Sequence, residues 1–311
     1  MFKLSREDHN RPDYARLREM RSNLKMFLNT RFDFNNAEWN DQLEHIVDHQ
    51  SGDGSFRIID SFQIENEAVV DFCNYPTVLC NAILMKSILL CTEKYERLLP
   101  SLSRGLDASV EMGICGSGYD HMSVQFDFLE IYCRAGLVFF LERYPTVSAQ
   151  FTEAINDIRN LYADCIATDS FRFDFDENYE AQIKDSFAGI TRKPVFAYGT
   201  LMKSESNHNY MDNQMFVEPS EIRGFNLYNL GHFPGIRPSR YIERIVKGEV
   251  FLVDDNTMAV INELEGEGSL YLMKLVEAFS DDSCRVVAAY VYNHKARRET
   301  MIESGDWRNK G

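Results

Sequence analysis

Apolar positions recur at helical spacing through the first 185 or so residues. Tyr14, Leu17, Met20, Leu24, Phe27 and Leu28 repeat every three or four residues, behind an Asn10-Arg11-Pro12 start that offers a cap and a proline in the first turn. The same texture predicts helices at Ala37–His49, Pro76–Tyr95, Ser123–Arg143 and Val147–Cys165. Strict alternation is scarce here, so paired antiparallel helices are the expected packing. Two glycine-bearing loops interrupt the helical text, "SGDGSFRIIDSF" from Ser51 and "GICGSGYDHM" from Gly113.

The pattern changes near residue 190. Short β-rich runs follow at Val195–Tyr198, Glu221–Leu230, Val246–Val253, Tyr271–Phe279 and Arg285–Tyr292, with one helical segment at Thr257–Leu264. Together these predict an α+β chain. An all-α domain over 1–185 precedes a small α+β domain over 193–311, the latter expected as a partly closed barrel. The polar join "DENYEAQIKDSFAGITRK", with Gly189, reads as a linker, and the polar tail from Ala296 reads as a fraying end or short packed tail.

Composition narrows the functional classes. A hydrophobic fraction of 44% with 22 Phe suffices for a real core, and a formal net charge of −15 disfavours nucleic acid and anionic membranes as partners. No apolar run reaches membrane-spanning length, and the charged N-terminal text carries no apolar signal core, so a cytoplasmic location is expected. The seven cysteines are scattered without a CxxC pair, which predicts reduced core thiols and no zinc site. Oligomeric state is open.

Two stretches carry candidate chemistry. In "PVFAYGTLMKSESNHNYM" an apolar strand breaks at Tyr198-Gly199-Thr200-Leu201 before polar, helix-starting residues. Such a break leaves backbone N–H groups unpaired and forms a cradle for a carboxylate or an oxyanion. An ordinary strand–loop–helix joint accounts for the same text. In "DDNTMAVINELEGEGSLY" the helical advance of about 100° per residue places Met258, Leu264 and Glu265 within about 60° of Ile261, with Glu263 opposite. Glu265 is then an acid on the apolar side, directly before Gly266, which can end the helix in the left-handed conformation. Turned inward, its pKa rises toward that of a general base and acid; turned outward at a frayed end, it is an ordinary surface carboxylate.

The Tyr198-Gly199-Thr200-Leu201 loop resembles the YGTL/YGSL loop of the gamma-glutamylcyclotransferase-like superfamily. "GEVFLVDD" from Gly248 is similar to that family's strand before its helix, and "NELEGEGSLY" to its L-E-G…Y element. "NLGHFPGIRPS" from Asn229 is similar to a loop near the family's pocket. The four elements occur in order across about 195–295. The resemblance implies Glu265 as the catalytic acid and base, with Tyr198, Gly199, Thr200, Leu201 and Tyr271 binding a small gamma-glutamyl substrate. The implied reaction is cyclotransferase chemistry. The substrate's α-amine attacks its own γ-carbonyl, releasing 5-oxoproline and a free amine without metal or cofactor. Elsewhere, His232 reads as a surface or supporting residue, Asn207 and His208 as helix starters, and Asp120-His121 as an incomplete second site. The alternatives are a non-catalytic binding module on this fold and an enzyme whose chemistry lies in the helical half, whose loops only faintly resemble α/α-toroid proteins. The amine released is not legible.

Overall fold

The computed structural model describes residues 12–33, 35–56, 70–111, 122–173, 176–281, 283–297 and 300–310. The chain divides into two compact units, Met1–Ile190 and Thr191–Gly311.

The first unit is built from helices α1 (Pro12–Asn29), α2 (Ala37–Asp48), α3 (Val70–Leu90), α4 (Thr92–Tyr95), α5 (Leu99–Glu111), α6 (Met122–Arg134), α7 (Leu137–Arg143), α8 (Ala149–Thr168) and α9 (Glu180–Thr191), with a small β1–β2 ladder (Arg172–Phe173, Glu177–Asn178) before α9. Helix α3 is buried on all sides from Val78 to Leu89 and packs against α1, α5 and α6. An all-round apolar helix can be accommodated only at the centre of a bundle. Two of its buried polar side chains bond to the surrounding bundle, with Asn81 Oδ1 left without a partner among the described residues. Lys86 Nζ donates to the carbonyls of Leu28 and Thr30 at 2.6 and 3.0 Å, and Asn81 Nδ2 donates to Ser109 Oγ and Tyr132 Oη at 2.9 and 3.0 Å.

Three helical expectations are corrected. Ser123–Arg143 is two helices, because Gly136 takes a left-handed φ of 96° between α6 and α7. Pro76–Tyr95 is interrupted at Cys91, which leaves helical geometry at φ −147° and ψ 72°. The join expected as a linker is α9, whose Ile183, Ala188, Gly189 and Ile190 are buried. Asn178 Oδ1 accepts the Glu180 amide at its start, and Arg159 donates to the Ile190 carbonyl near its end, so this helix belongs to the first unit. Within the glycine loop at Ser51 the described part is a turn, with Gly54 at φ 86° lying against the Arg104 carbonyl. Asn10, Arg11, most of the Gly113 loop and Asp120-His121 lie outside the described residues. Cys80, Cys133, Cys165 and Cys284 are buried, and no disulfide joins them.

The second unit contains β3 (Lys193–Ala197), β4 (Met215–Arg223), β5 (Phe225–Asn229), β6 (Pro234–Pro238), β7 (Ile245–Val253), α10 (Asp255–Glu265), β8 (Tyr271–Ser280), β9 (Ser283–Tyr292) and β10 (Met301–Ile302). Strands pair in the cycle β9–β3–β7–β4–β8–β9, so the sheet closes into a five-stranded barrel, with β6, β5 and β10 continuing outward from β9. Strand β9 runs antiparallel to β8 along one edge. Its other edge serves two parallel partners in succession, β3 at Val195↔Ala288 and β6 at Ile236↔Val291. Closure buries β9 almost throughout, Cys284 to Val291, which is why its text is apolar without a break from Val286 to Val291.

Here too the sequence differs in detail from the structure. Glu221–Leu230 is broken by Gly224, at φ 78°, into β4 and β5. The proline-bearing stretch expected as a loop contains β6, with prolines at both strand ends, where the missing N–H is tolerated. The tail supplies β10 and a buried Trp307 in the 3-10 turn Trp307–Asn309.

Candidate active site

The pocket begins where β3 ends. Tyr198, Gly199 and Leu201 are buried, and the Met202 amide donates to the Gly199 carbonyl at 3.0 Å, closing a turn. Glycine is required at 199 by close approach: a Cβ there would lie 2.2 Å from Pro234 Cγ. Among the described residues, the amides of Gly199, Thr200 and Leu201 donate to no protein acceptor.

The segment after the turn is not a long helix. It runs through turns to a short 3-10 segment, His208–Met211, with Asn207 at its cap position but no side-chain cap bond, so the helix start expected of Asn207 and His208 is a single 3-10 turn. Both residues also brace the turn at Gly199. The Asn207 amide donates to the Thr200 carbonyl at 2.9 Å, Asn207 Nδ2 donates to Thr200 Oγ1 at 3.1 Å, and His208 Nδ1 lies 3.0 Å from the Leu201 carbonyl.

Helix α10 delivers the acid. Asp254 caps its start by accepting the Thr257 amide at 2.8 Å, and Met258 and Ile261 bury one face. Gly266, at φ 58°, ends the helix one residue after Glu265. Glu263 is exposed and Glu265 is half-buried. Leu264, expected on the inner face, is 37% exposed, so the buried stripe is narrower than the angular count implied.

Glu265 shares one pocket with Tyr198, Gly199, Thr200, Leu201 and Tyr271; Phe196, Ala197, Phe233, Pro234 and Tyr290 complete the lining. The space within this lining, open solvent included, is about 340 Å³. Around the carboxyl stand three phenols whose hydroxyls all point elsewhere. Tyr198 donates to the Tyr290 carbonyl at 2.5 Å, Tyr271 donates to the Pro234 carbonyl, and Tyr290 donates to Asn262 Oδ1 at 2.5 Å. The acid is therefore packed among rings without receiving their protons. Burial pushes it up to about 7. The phenols are pushed up as well, first by burial; the carboxylate charge adds to this in each.

His232 is exposed on the loop before β6 and does not line the pocket. Tyr290 was not foreseen from sequence. Among the described residues there is no cluster of three His, Cys, Asp or Glu side chains able to hold a metal ion, and no helix long and apolar enough to cross a membrane.

Known proteins resemble this part of the chain. The family described as gamma-glutamyl cyclotransferase, AIG2-like, matches residues 195–309. The gamma-glutamylcyclotransferase family protein ytfP of Citrobacter rodentium is 32% identical over 113 residues, which are 36% of this chain and 93% of that one. The chain belongs to the gamma-glutamylcyclotransferase family. Its Escherichia coli K12 relative YtfP is likewise 32% identical, over 36% of this chain and 94% of its own. The solution structure of ytfP from Escherichia coli aligns with 37% of this chain and 95% of that chain, at 31% identity and a TM-score of 0.29. The residues matched by the family lie within the second unit.

Proposed function

We propose that the second unit cleaves a gamma-glutamyl amide by cyclisation, releasing 5-oxoproline and a free amine. The observation that carries this reading is Glu265: a carboxyl raised to about 7, without a protein hydrogen-bond donor among the described residues, in the same pocket as three unpaired amides.

Glu265 as carboxylate removes a proton from the substrate's α-ammonium. The freed amine attacks the γ-carbonyl carbon, forming the five-membered ring and a tetrahedral oxyanion. As the oxyanion collapses, the C–N bond to the leaving group breaks and protonated Glu265 returns its proton to the departing nitrogen; the ring nitrogen, cationic after attack, gives up its second proton through the same carboxylate to the released amine, which departs as an ammonium. Proton inventory closes within the active site, with no water consumed and no metal or cofactor called on. A carboxyl poised near neutrality can serve in both directions. The amides of Gly199, Thr200 and Leu201 supply donors for the substrate carboxylate or the oxyanion. The ring of Tyr271 and the wall of Phe233 and Pro234 favour a curled substrate, and holding it curled gives the intramolecular attack its advantage. A family relationship at 32% identity supports the reaction class.

The test is a panel of gamma-glutamyl amino acids, peptides and amines incubated with the full chain, read by mass spectrometry for 5-oxoproline. Stoichiometric 5-oxoproline and free amine from at least one compound is the expected result. Hydrolysis to glutamate, or no turnover across the panel, overturns the reading.

A further inference from the structure

Outside the pocket, a buried carboxylate on β7 and an arginine on the 3-10 turn Trp307–Asn309 meet at the backbone of a single residue, Lys203. Glu249 is 7% exposed. Its Oε2 accepts the Lys203 amide at 2.8 Å, and its Oε1 accepts Arg308 Nη2 at 2.7 Å. Arg308 Nη2 also donates to the Lys203 carbonyl at 3.1 Å. Both polar groups of residue 203 are thus held, the N–H by the carboxylate and the C=O by the guanidinium.

We infer that Glu249 and Arg308 are positioning residues for the amide cradle at Gly199–Leu201, locking the far end of its turn against β7. This rests on the proposed reading of those amides as substrate or oxyanion donors. The near end of the turn is already fixed, because it leaves β3, which is paired to β7 through Ala197↔Glu249. The clamp falls two residues beyond Leu201, at the first point where the turn returns to β7. Burying a carboxylate is costly unless charge-assisted bonds compensate, so Glu249 has a strong preference for this one arrangement. A guanidinium suits the second contact, since its planar fork can serve a carboxylate and a carbonyl together.

The arginine is itself anchored. Trp307 beside it is 1% exposed, Asp306 Oδ1 accepts the Arg308 amide at 3.0 Å, and the Lys247 amide donates to the Gly305 carbonyl at 2.8 Å. Gly305, at φ 64°, sits so close to β7 that a Cβ would lie 1.9 Å from the Ile245 carbonyl oxygen. The segment carrying Arg308 is therefore seated on the same strand as Glu249. The Lys203 side chain lies away from the clamp, its Nζ 3.2 Å from the Phe216 ring centroid.

Hydrogen exchange of the full chain, read by mass spectrometry over 198–204, tests this without relying on turnover. In Arg308→Ala, exchange over that segment should quicken about tenfold, the scale of one lost charge-assisted hydrogen bond, while β9 keeps its protection. Methylguanidine should restore protection, since the Arg308 side chain is 41% exposed and leaves an open site. Glu249→Gln, which keeps an acceptor for the Lys203 amide, should show a smaller acceleration. Arg244→Gln removes an exposed ion pair to Glu303 and should leave 198–204 unchanged. Unchanged exchange in Arg308→Ala, or equal acceleration in Arg244→Gln, overturns the clamp. With an active wild type, Arg308→Ala should lose about tenfold to a hundredfold in kcat/KM, as expected for misplaced binding groups. Were no gamma-glutamyl compound turned over by the wild type, the functional reading would fall and the exchange data would still decide the clamp.

Discussion

The Tyr290 hydroxyl donates to Asn262 Oδ1 at 2.5 Å, three residues before Glu265 on the same helix. The last turn of α10 is thereby pinned to β9, and the pocket acid is held at a fixed height among the aromatic rings. Tyr290→Phe should keep the ring packing and release the pin. The expected outcome is a fall in kcat of about tenfold with KM nearly unchanged, as for a loss of alignment at the reacting centre. Steady-state kinetics on the best gamma-glutamyl compound check it; a change confined to KM would contradict the pinning role.

Glu265→Gln should abolish turnover while Glu263→Gln does little. Both remove one negative charge from neighbouring positions, so a field effect would act on both alike. Only Glu265 lines the pocket. Loss of general acid–base catalysis costs about a hundredfold to ten-thousandfold. Release of 5-oxoproline by both variants at equal concentration, with melts as folding controls, gives the comparison.

The raised Glu265 carboxyl has a consequence for stability as well as rate. Its folded value of about 7 exceeds an unfolded value of about 4.3, so between these the folded chain binds more protons than the unfolded one. This group's contribution to stability therefore falls as pH rises from about 4.3 to about 7. Glutamine mimics the neutral acid, so Glu265→Gln should melt above wild type at pH 8 and the gap should close toward pH 4. In the wild type, kcat/KM should rise with pH through an apparent pKa near 7, since the carboxylate is the required base. A flat profile from pH 5 to 8 would remove Glu265 as that base.

Gly199→Ala should destabilise the second unit and disable the pocket together. The added Cβ would sit 2.2 Å from Pro234 Cγ, and Pro234 is tied in place by the Tyr271 hydroxyl on its carbonyl. Overpacking of this kind costs about 1–3 kcal/mol. Urea denaturation and 5-oxoproline release measure the two effects; an unchanged midpoint would mean that the β6 loop yields freely.

The fragment from Thr191 onward should fold alone with a cooperative melt, because every partner strand of the barrel lies within it. The cut belongs at the last residue of α9 and no earlier within it, given the Arg159 bond to the Ile190 carbonyl. A fragment that stays unfolded until α9 is restored would show that the helix completes the barrel core.

Legibility from sequence followed how local each feature is. Glu265 could be found because its position depends on a helical period and on the glycine that stops the helix, both written within a few residues. The glycine turn at 199 was visible for the same reason. Helix α9 was missed although Ile183, Phe187 and Ile190 stand at helical spacing, because polar neighbours and Gly189 masked the period. Strand β6 was hidden by its prolines. Tyr290 was beyond reach for a different reason: it meets Glu265 only after the barrel closes, and nothing in an apolar strand marks which residue will face the pocket. The Glu249–Arg308 contact, 59 residues apart, shares that limitation.

Strand β9 changes partner along one edge, from β3 at Ala288 to β6 at Val291. At this handover a stretch of ladder is vacated, and the Tyr290 carbonyl within it is met by a phenol, that of Tyr198, in place of a strand amide. The pocket is thus a seam between two strands and not a hollow at a barrel's centre. A seam is set by the two strand ends that border it, Gly199 and Pro234, and these lie in contact, so a change that widens or narrows it also shifts the packing between the ends of β3 and β6. The shape of the pocket and the integrity of this part of the sheet are thereby written into the same two residues.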